Sequence, residues 1–190
     1  ANVFSLNYDL IWEKCFNSAQ ERLIETGFDA GRWTGELDDQ LGVSKVRLAK
    51  LHGSTDWFFD EETEEVRSAG DAVDEPLIIF GSAYKMQSFD PFISLLSRFR
   101  NRLQTCSLCV FVGYSFQDRY INNILIQSLG SQLARAALVV DPASWSSEQL
   151  SAQIESTQSS RSLNEVLNLK RVNPKRLEIV GKTAKDFYQD

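Results

Sequence analysis

Soft metal ligands are scarce in this chain: one histidine, His52, and three cysteines, Cys15, Cys106 and Cys109, in 190 residues. An odd, sparse cysteine count excludes the paired framework of a small secreted protein and fits a reducing, cytoplasmic setting. Cys106 and Cys109 form a lone C-x-x-C. A structural zinc takes four ligands, and only Cys15 and His52 could join the pair. No metal is expected, and the pair reads as two small apolar residues leading into a buried strand. Long apolar runs are also missing; none approaches the ~18 residues of a membrane helix, so no membrane partner is expected. Residues 1–5 lack the basic and apolar regions of a secretory signal. Positive charge is in short supply, with 20 Lys and Arg against 26 Asp and Glu, a net charge of -6. A nucleic-acid binder presents a basic stripe. Here the basic residues are scattered except for Arg98, Arg100 and Arg102, which read as the polar side of a helix, so direct nucleic-acid binding is not expected. No internal repeat is found.

What is present suits a globular protein: 43% hydrophobic and 24% charged residues, in proportions that bury a core without disulfides or metals. The length fits a single domain over residues 1–190. Val3-Phe4-Ser5-Leu6 reads as a strand, followed by Asn7-Tyr8-Asp9. Residues 10–24 read as a helix, with Ile11, Cys15 and Phe16 at helical spacing and Gly27 as its stop. Residues 27–43 read as an irregular connection. A short strand over residues 46–51 runs into His52-Gly53-Ser54. Trp57 and Phe58 read as core or lid residues, and the acidic run at residues 60–65 as a solvated turn with no metal role. Residues 77–80 form another expected strand, and Tyr84-Lys85 after it a solvated loop. Residues 89–103 read as a helix with Phe92, Leu95, Leu96, Phe99 and Leu103 on one side. Residues 108–112 are apolar on both faces, as in a parallel strand covered on two sides, and stop at Gly113-Tyr114-Ser115-Phe116. A helix over about 120–133, strands at 136–140 and 177–180, and a Ser/Gln-rich surface segment at 143–162 complete the pattern.

Strands alternating with helices predict an α/β fold: a Rossmann-like parallel sheet with helices on both faces. Such sheets bind ligands beyond the carboxyl ends of their strands. Asn7-Asp9, His52-Gly53, Gly113-Ser115 and Asp141 each follow a strand, so four polar clusters are expected on one rim, as a nucleotide site requires.

Ser5-Leu6-Asn7-Tyr8-Asp9, Lys50-Leu51-His52-Gly53-Ser54 and Val112-Gly113-Tyr114-Ser115-Phe116 occur in that order. Together they resemble the sirtuin-like NAD-binding domains, especially the bacterial branch found in antiphage defence proteins. Asp118-Arg119-Tyr120-Ile121-Asn122 and Thr183-Ala184-Lys185-Asp186-Phe187-Tyr188 are similar to that branch too. Two parts of the family pattern are absent. The first strand with its Gly-Ala-Gly-x-Ser loop, which would offer backbone N–H groups to a pyrophosphate, is missing, and the chain is therefore expected to be a piece of a longer protein. The four-cysteine zinc module of the protein-deacylating members is missing as well. That favours plain hydrolysis of NAD over deacylation.

The resemblance implies a set of roles. His52 would be the catalytic base, Asn7 would orient the ribose or the attacking water, and Asp9 would accept a hydrogen bond from the nicotinamide amide. Gly53, Gly113, Tyr114, Ser115, Asp118 and Asp141 would bind NAD, Asp141 at the adenine-side ribose. The chemistry suits these residues. Cleavage of the nicotinamide–ribose bond passes through an oxocarbenium-like state, as glycoside cleavage does, and a histidine with its unperturbed pKa of about 6.5 can take up a proton near neutral pH. Simpler readings stand beside these: a lone histidine is often structural, Asn7 and Asp9 suit a helix N-cap, and Gly113-Tyr114-Ser115 suits an ordinary strand-to-helix turn. The leading expectation is an NAD hydrolase, the effector part of a larger oligomeric defence complex. The alternative is a non-catalytic NAD-sensing or oligomerisation module, and a third reading is a zinc-dependent protein deacylase.

Overall fold

The structure is a computed structural model that describes residues 1–16, 24–35, 37, 46–79, 89–129, 136–140 and 177–180. The chain divides into two compact units, residues 1–99 and 100–190.

In the first unit, β1 (Asn2–Ser5) leads through a turn to α1 (Ile11–Phe16), followed by β2 (Ile24–Glu25), β3 (Phe28–Asp29), β4 (Arg32–Trp33), β5 (Val46–Lys50), β6 (Trp57–Asp60) and β7 (Glu65–Ser68). Three strands form a parallel sheet in the order β1-β5-β2, with Ser5 opposite Lys50 and Ile24 opposite Val46. The central β5 buries Leu48, Ala49 and Lys50 in succession, the two-faced burial expected of an inner parallel strand. Below it, Phe4 meets Phe99 with ring centres 4.9 Å apart, and Trp57 meets Phe28 at 5.1 Å and Phe92 at 5.9 Å. Such pairs add about 0.5–1.5 kcal/mol each beyond the area they bury. Trp57 is therefore a core residue.

The remaining strands form an antiparallel sheet, β3-β4-β7-β6, which sequence pattern alone does not reveal. Strands of two residues are too short for a period-2 signal. The β3–β4 hairpin turns at Ala30 and Gly31, both at positive φ (47° and 78°), the geometry that matches strand twist in a two-residue loop. The acidic run is the turn between β6 and β7, as expected. There Asp60 Oδ1 accepts the N–H groups of Glu62 and Thr63.

Two further expectations are corrected in this unit. The first helix does not continue to Ile24, which pairs as a strand with β5; α1 is described only to Phe16 and buries none of its own residues. Residues 77–79 do not form a regular strand either, and Phe80 of that expected strand lies outside the described residues. Ile78 makes one isolated antiparallel bridge to Gly53, because this segment hydrogen-bonds to a turn: Ile79 N–H donates to His52 O and Leu77 N–H to Trp57 O.

Helix α2 (Phe92–Thr105) buries Phe92, Leu95, Leu96, Phe99 and Leu103, the stripe its periodicity predicts. It starts at Phe92 rather than residue 89 because Asp90 caps it, its Oδ1 accepting from Ser94 N–H, and Pro91 suits a first turn. Arg98 is not simply a solvated charge, since its guanidinium donates to Leu37 O at 2.9 Å.

In the second unit, β8 (Leu108–Val112), α3 (Arg119–Leu129), β9 (Ala136–Val140) and β10 (Leu177–Val180) give a parallel sheet in the order β10-β9-β8. Val112 lies opposite Val140 and Val180 follows on β10. Parallel pairing in both units is the Rossmann-like α/β architecture expected. The two-faced burial of β8 is not found: Leu108 and Val110 are 55% and 41% exposed, while Phe111 is buried. The pleat sends residues 108 and 110 to one side and 111 to the other, and an all-apolar strand hides that asymmetry in the sequence. Tyr84, Lys85, Asp141, residues 143–162 and residues 183–188 lie outside the described residues. Among the described residues, no helix is long and apolar enough to cross a membrane, and no group of three or more His, Cys, Asp or Glu could hold a metal ion.

The cysteines differ sharply in their surroundings. Burial, with a smaller contribution from Cys106, pushes the Cys109 thiol up to about 12, whereas Cys15 is exposed. At pH 8 only about one Cys109 in 10⁴ is then the reactive thiolate. An alkylating reagent should modify Cys15 first and Cys109 only as the protein unfolds. Peptide mapping of a labelling time course checks this; faster labelling of Cys109 than of Cys15 would contradict the assignment.

Candidate functional site

Two of the expected motifs leave the carboxyl ends of neighbouring parallel strands in the first unit. After β1, Ser5 Oγ accepts the Asn7 N–H at 3.1 Å and folds the chain back on itself. Asp9 then caps α1, its Oδ1 accepting the Ile11 N–H at 3.0 Å. The capping reading of Asp9 is thus realised, and one oxygen of its carboxylate remains for other work. Asn7 stands exposed at the tip of this turn.

After β5, residues 51–56 form the second turn, with His52 half-buried. The two turns are laced by backbone hydrogen bonds: Leu51 N–H donates to Ser5 O at 2.9 Å and Thr55 N–H to Tyr8 O at 2.8 Å. Gly53 is required here on two counts. Its φ is +87°, and a Cβ would lie 2.1 Å from the Leu77 carbonyl oxygen. Its missing side chain makes room for the protein's own backbone at residues 77–78, a demand not apparent in the His-Gly motif.

Lys50 joins the two turns through its side chain. Its ammonium is buried and donates to Asp9 O at 2.5 Å and Ser54 Oγ at 2.8 Å, and it pairs with Glu13 Oε1 at 2.8 Å. Ser54 in turn donates to buried Asp56, which also accepts from Ser68 at 2.5 Å. Sequence reasoning passed over Lys50, Ser54, Asp56 and Glu13. The available signal was a lysine directly after Leu48-Ala49 and before Leu51, since a buried lysine needs partners.

The second unit holds the other described motif. Gly113 follows β8, and its N–H donates to Val140 O at 3.0 Å. Its φ is +61° and a Cβ there would meet nothing within 4 Å, so its backbone is open to approach. Ser115 is exposed. Tyr114 faces the protein instead: its hydroxyl donates to Asn122 Oδ1 at 2.7 Å and its ring packs on Phe116 with centres 4.6 Å apart. Burial, then the Asp118 charge, pushes the phenol well above its usual range, so it acts as a neutral donor. Asp118 Oδ1 caps α3 by accepting the N–H groups of Tyr120 and Ile121. Tyr114 and Asp118 therefore hold the loop's shape. Asp141, after β9, is outside the described residues.

Phe116 is buried with φ +56°, a conformation unfavourable for a bulky side chain. The fully buried Asn122 sustains it by donating from Nδ2 to Phe116 O at 2.7 Å while accepting from Tyr114. An asparagine among the apolar residues Ile121, Ile124 and Leu125 was the signal for this role. Asn122→Leu strands the Phe116 carbonyl, at about 1–3 kcal/mol for a group left unpaired in the interior, and leaves the Tyr114 hydroxyl only Asp118 O at 3.5 Å. A lower urea midpoint should report the loss; a midpoint unchanged from wild type would show that the loop does not depend on this side chain.

The described motif residues fall into two groups, Asn7, Asp9, His52 and Gly53 in the first unit, and Gly113, Tyr114, Ser115 and Asp118 in the second. The first group offers a half-buried imidazole and an exposed carboxamide on two turns laced by backbone hydrogen bonds, groups suited to moving a proton and orienting a polar substrate. The second offers open backbone and a hydroxyl after a parallel strand. The family model described as SIR2-like domain matches residues 1–162 of the chain. No curated protein matches it.

Proposed function

The chain belongs to the SIR2-like domain family, and from that premise we propose that it hydrolyses NAD at the nicotinamide–ribose bond, as the cytoplasmic effector domain of a bacterial antiviral defence protein. Family membership carries an NAD-related function in general. The observation that supports hydrolysis is the lacing of the Asn7–Asp9 turn to the His52 turn at the carboxyl ends of paired parallel strands, where such folds bind nucleotides.

In this scheme water replaces nicotinamide on the ribose carbon, yielding nicotinamide, ADP-ribose and a proton. Positive charge builds on the ribose as the bond to nicotinamide breaks. His52 takes the proton from a ribose hydroxyl or from the water, and Asn7 aligns the hydroxyl or water that reacts. The Asp9 oxygen not committed to Ile11 accepts from the nicotinamide amide. Gly53 seats the His52 turn on the backbone at 77–78. Gly113 lets the phosphates approach the backbone and Ser115 offers them a hydroxyl. Tyr114 and Asp118 shape that loop, and Asp141 binds the adenine-side ribose. Other domains or copies of the protein, in a larger complex, control when this happens.

The test is to incubate the full native protein, with its activating signal, with NAD and to resolve the products by chromatography. Stoichiometric nicotinamide and ADP-ribose are expected. Calorimetric binding of NAD with no nicotinamide released would replace this proposal by the sensing-module alternative.

A further inference from the structure

Lysine is almost never fully buried unless paired, and the penalty for removing an ammonium from water is several kcal/mol. Lys50 is nonetheless 3% exposed, and each of its three N–H donors has a partner on a different segment: Asp9 O on the turn after β1, Glu13 Oε1 on α1, and Ser54 Oγ on the turn after β5. The second carboxylate, Asp56, reaches it through Ser54. Glu13 depends on this contact, because its other oxygen, Oε2, is buried with no hydrogen-bond partner. A well-packed apolar residue would serve stability as well or better at such a position. What an apolar residue cannot do is fix three polar segments in one geometry.

We infer that Lys50 is a positioning residue of the site, its buried ammonium clamping the Asn7–Asp9 turn and α1 to the His52–Ser54 turn and so setting Asn7 against His52. This rests on the reading of that rim as the site of NAD cleavage. Lys50 is two residues from His52, and its acceptor on Asp9 is two residues from Asn7, so the clamp acts at the level of both reacting side chains. The strand register, with Ser5 opposite Lys50, leaves the two turns joined by only a few backbone bonds. Displacement of a reacting group by about 1 Å can cost about 100-fold in rate.

Lys50→Met alone would leave the Glu13 carboxylate buried without its cation, and could unfold the protein. The double variant Lys50→Met/Glu13→Gln removes both charges together. His52 is the only histidine of residues 1–190, and its imidazole signal in a carbon–proton correlation spectrum, identified by its loss in His52→Ala, is a readout independent of activity. In the full native protein, the double variant should keep a cooperative urea transition. Its kcat for nicotinamide release should fall about 10- to 100-fold with KM for NAD little changed, and the His52 signal should shift and broaden or split. Lys50→Arg should share these effects, since a planar fork cannot serve three converging acceptors. A folded double variant with wild-type kcat and an unchanged His52 signal overturns the inference. If the wild-type protein releases no nicotinamide, the functional reading falls, and the His52 signal alone decides the clamp: altered supports it, unchanged overturns it.

Discussion

His52→Ala is expected to lower NAD turnover by about 10²–10⁴-fold, the usual contribution of a positioned general base, without unfolding the protein. The His52 carbonyl accepts from Ile79 N–H at 2.9 Å, and alanine keeps that bond. Loss of the imidazole should appear in kcat and kcat/KM together, because proton uptake matters only as the bond to nicotinamide breaks. No second histidine lies within residues 1–190. Steady-state nicotinamide release by the full native protein, with a urea transition as the folding control, makes the comparison. A folded variant turning over within about threefold of wild type would remove His52 from the chemistry.

Gly53→Ala should be among the most destabilising single-methyl changes in the first unit. The new Cβ would fall 2.1 Å from Leu77 O, at a φ of +87°. The obstacle is backbone held by the Leu77–Trp57 and Ile79–His52 hydrogen bonds, so it cannot swing aside as a flexible side chain would. Strain and overpacking together cost about 2–5 kcal/mol. Gly113→Ala is the informative contrast, with the same chemical change and a left-handed backbone but nothing within 4 Å of the methyl. Only conformational strain of about 1–2 kcal/mol applies there. Urea midpoints for the two variants should therefore differ clearly, with Gly53→Ala the lower. Equal midpoints would mean that the approach of residues 77–78 is not a constraint on the turn.

Much of the fold was legible in the chain. The helix over Phe92–Thr105 and the strands at 46–50, 108–112, 136–140 and 177–180 announce themselves through apolar runs and a 3.6-residue stripe, because burial of those faces drives folding. The antiparallel sheet was not legible. Strands such as Phe28–Asp29 and Arg32–Trp33 carry too few residues for a period, and Arg32 also pairs with the distant Arg67. The run beginning at Leu77 looked like a strand because its composition is right, yet Leu77 and Ile79 spend their N–H groups on Trp57 O and His52 O.

The order of the Asn7–Asp9, His52–Gly53 and Gly113–Ser115 motifs, and their places after strands, pointed to the SIR2-like domain before any coordinate did. The roles of their members were less legible. Asp9 and Asp118 were marked for the ligand and both prove to cap helices. Tyr114 was marked for the ligand and proves to brace a strained loop through Asn122.

By itself, then, the sequence determined the class of fold, the family and which residue types are available for chemistry, above all the solitary His52. These depend on local pattern and on identity, which a chain displays residue by residue. Only the tertiary structure decided that Gly53 is kept small by Leu77 and that backbone hydrogen bonds lace the Asn7 turn to the His52 turn. It also decided that a buried lysine, tied to Asp9, Glu13 and Ser54, holds those turns together. Each of these is a contact between residues 24 to 47 positions apart, or a charge whose partners lie on other elements. Such facts arise from pairwise distance in a folded chain, and no local pattern encodes distance.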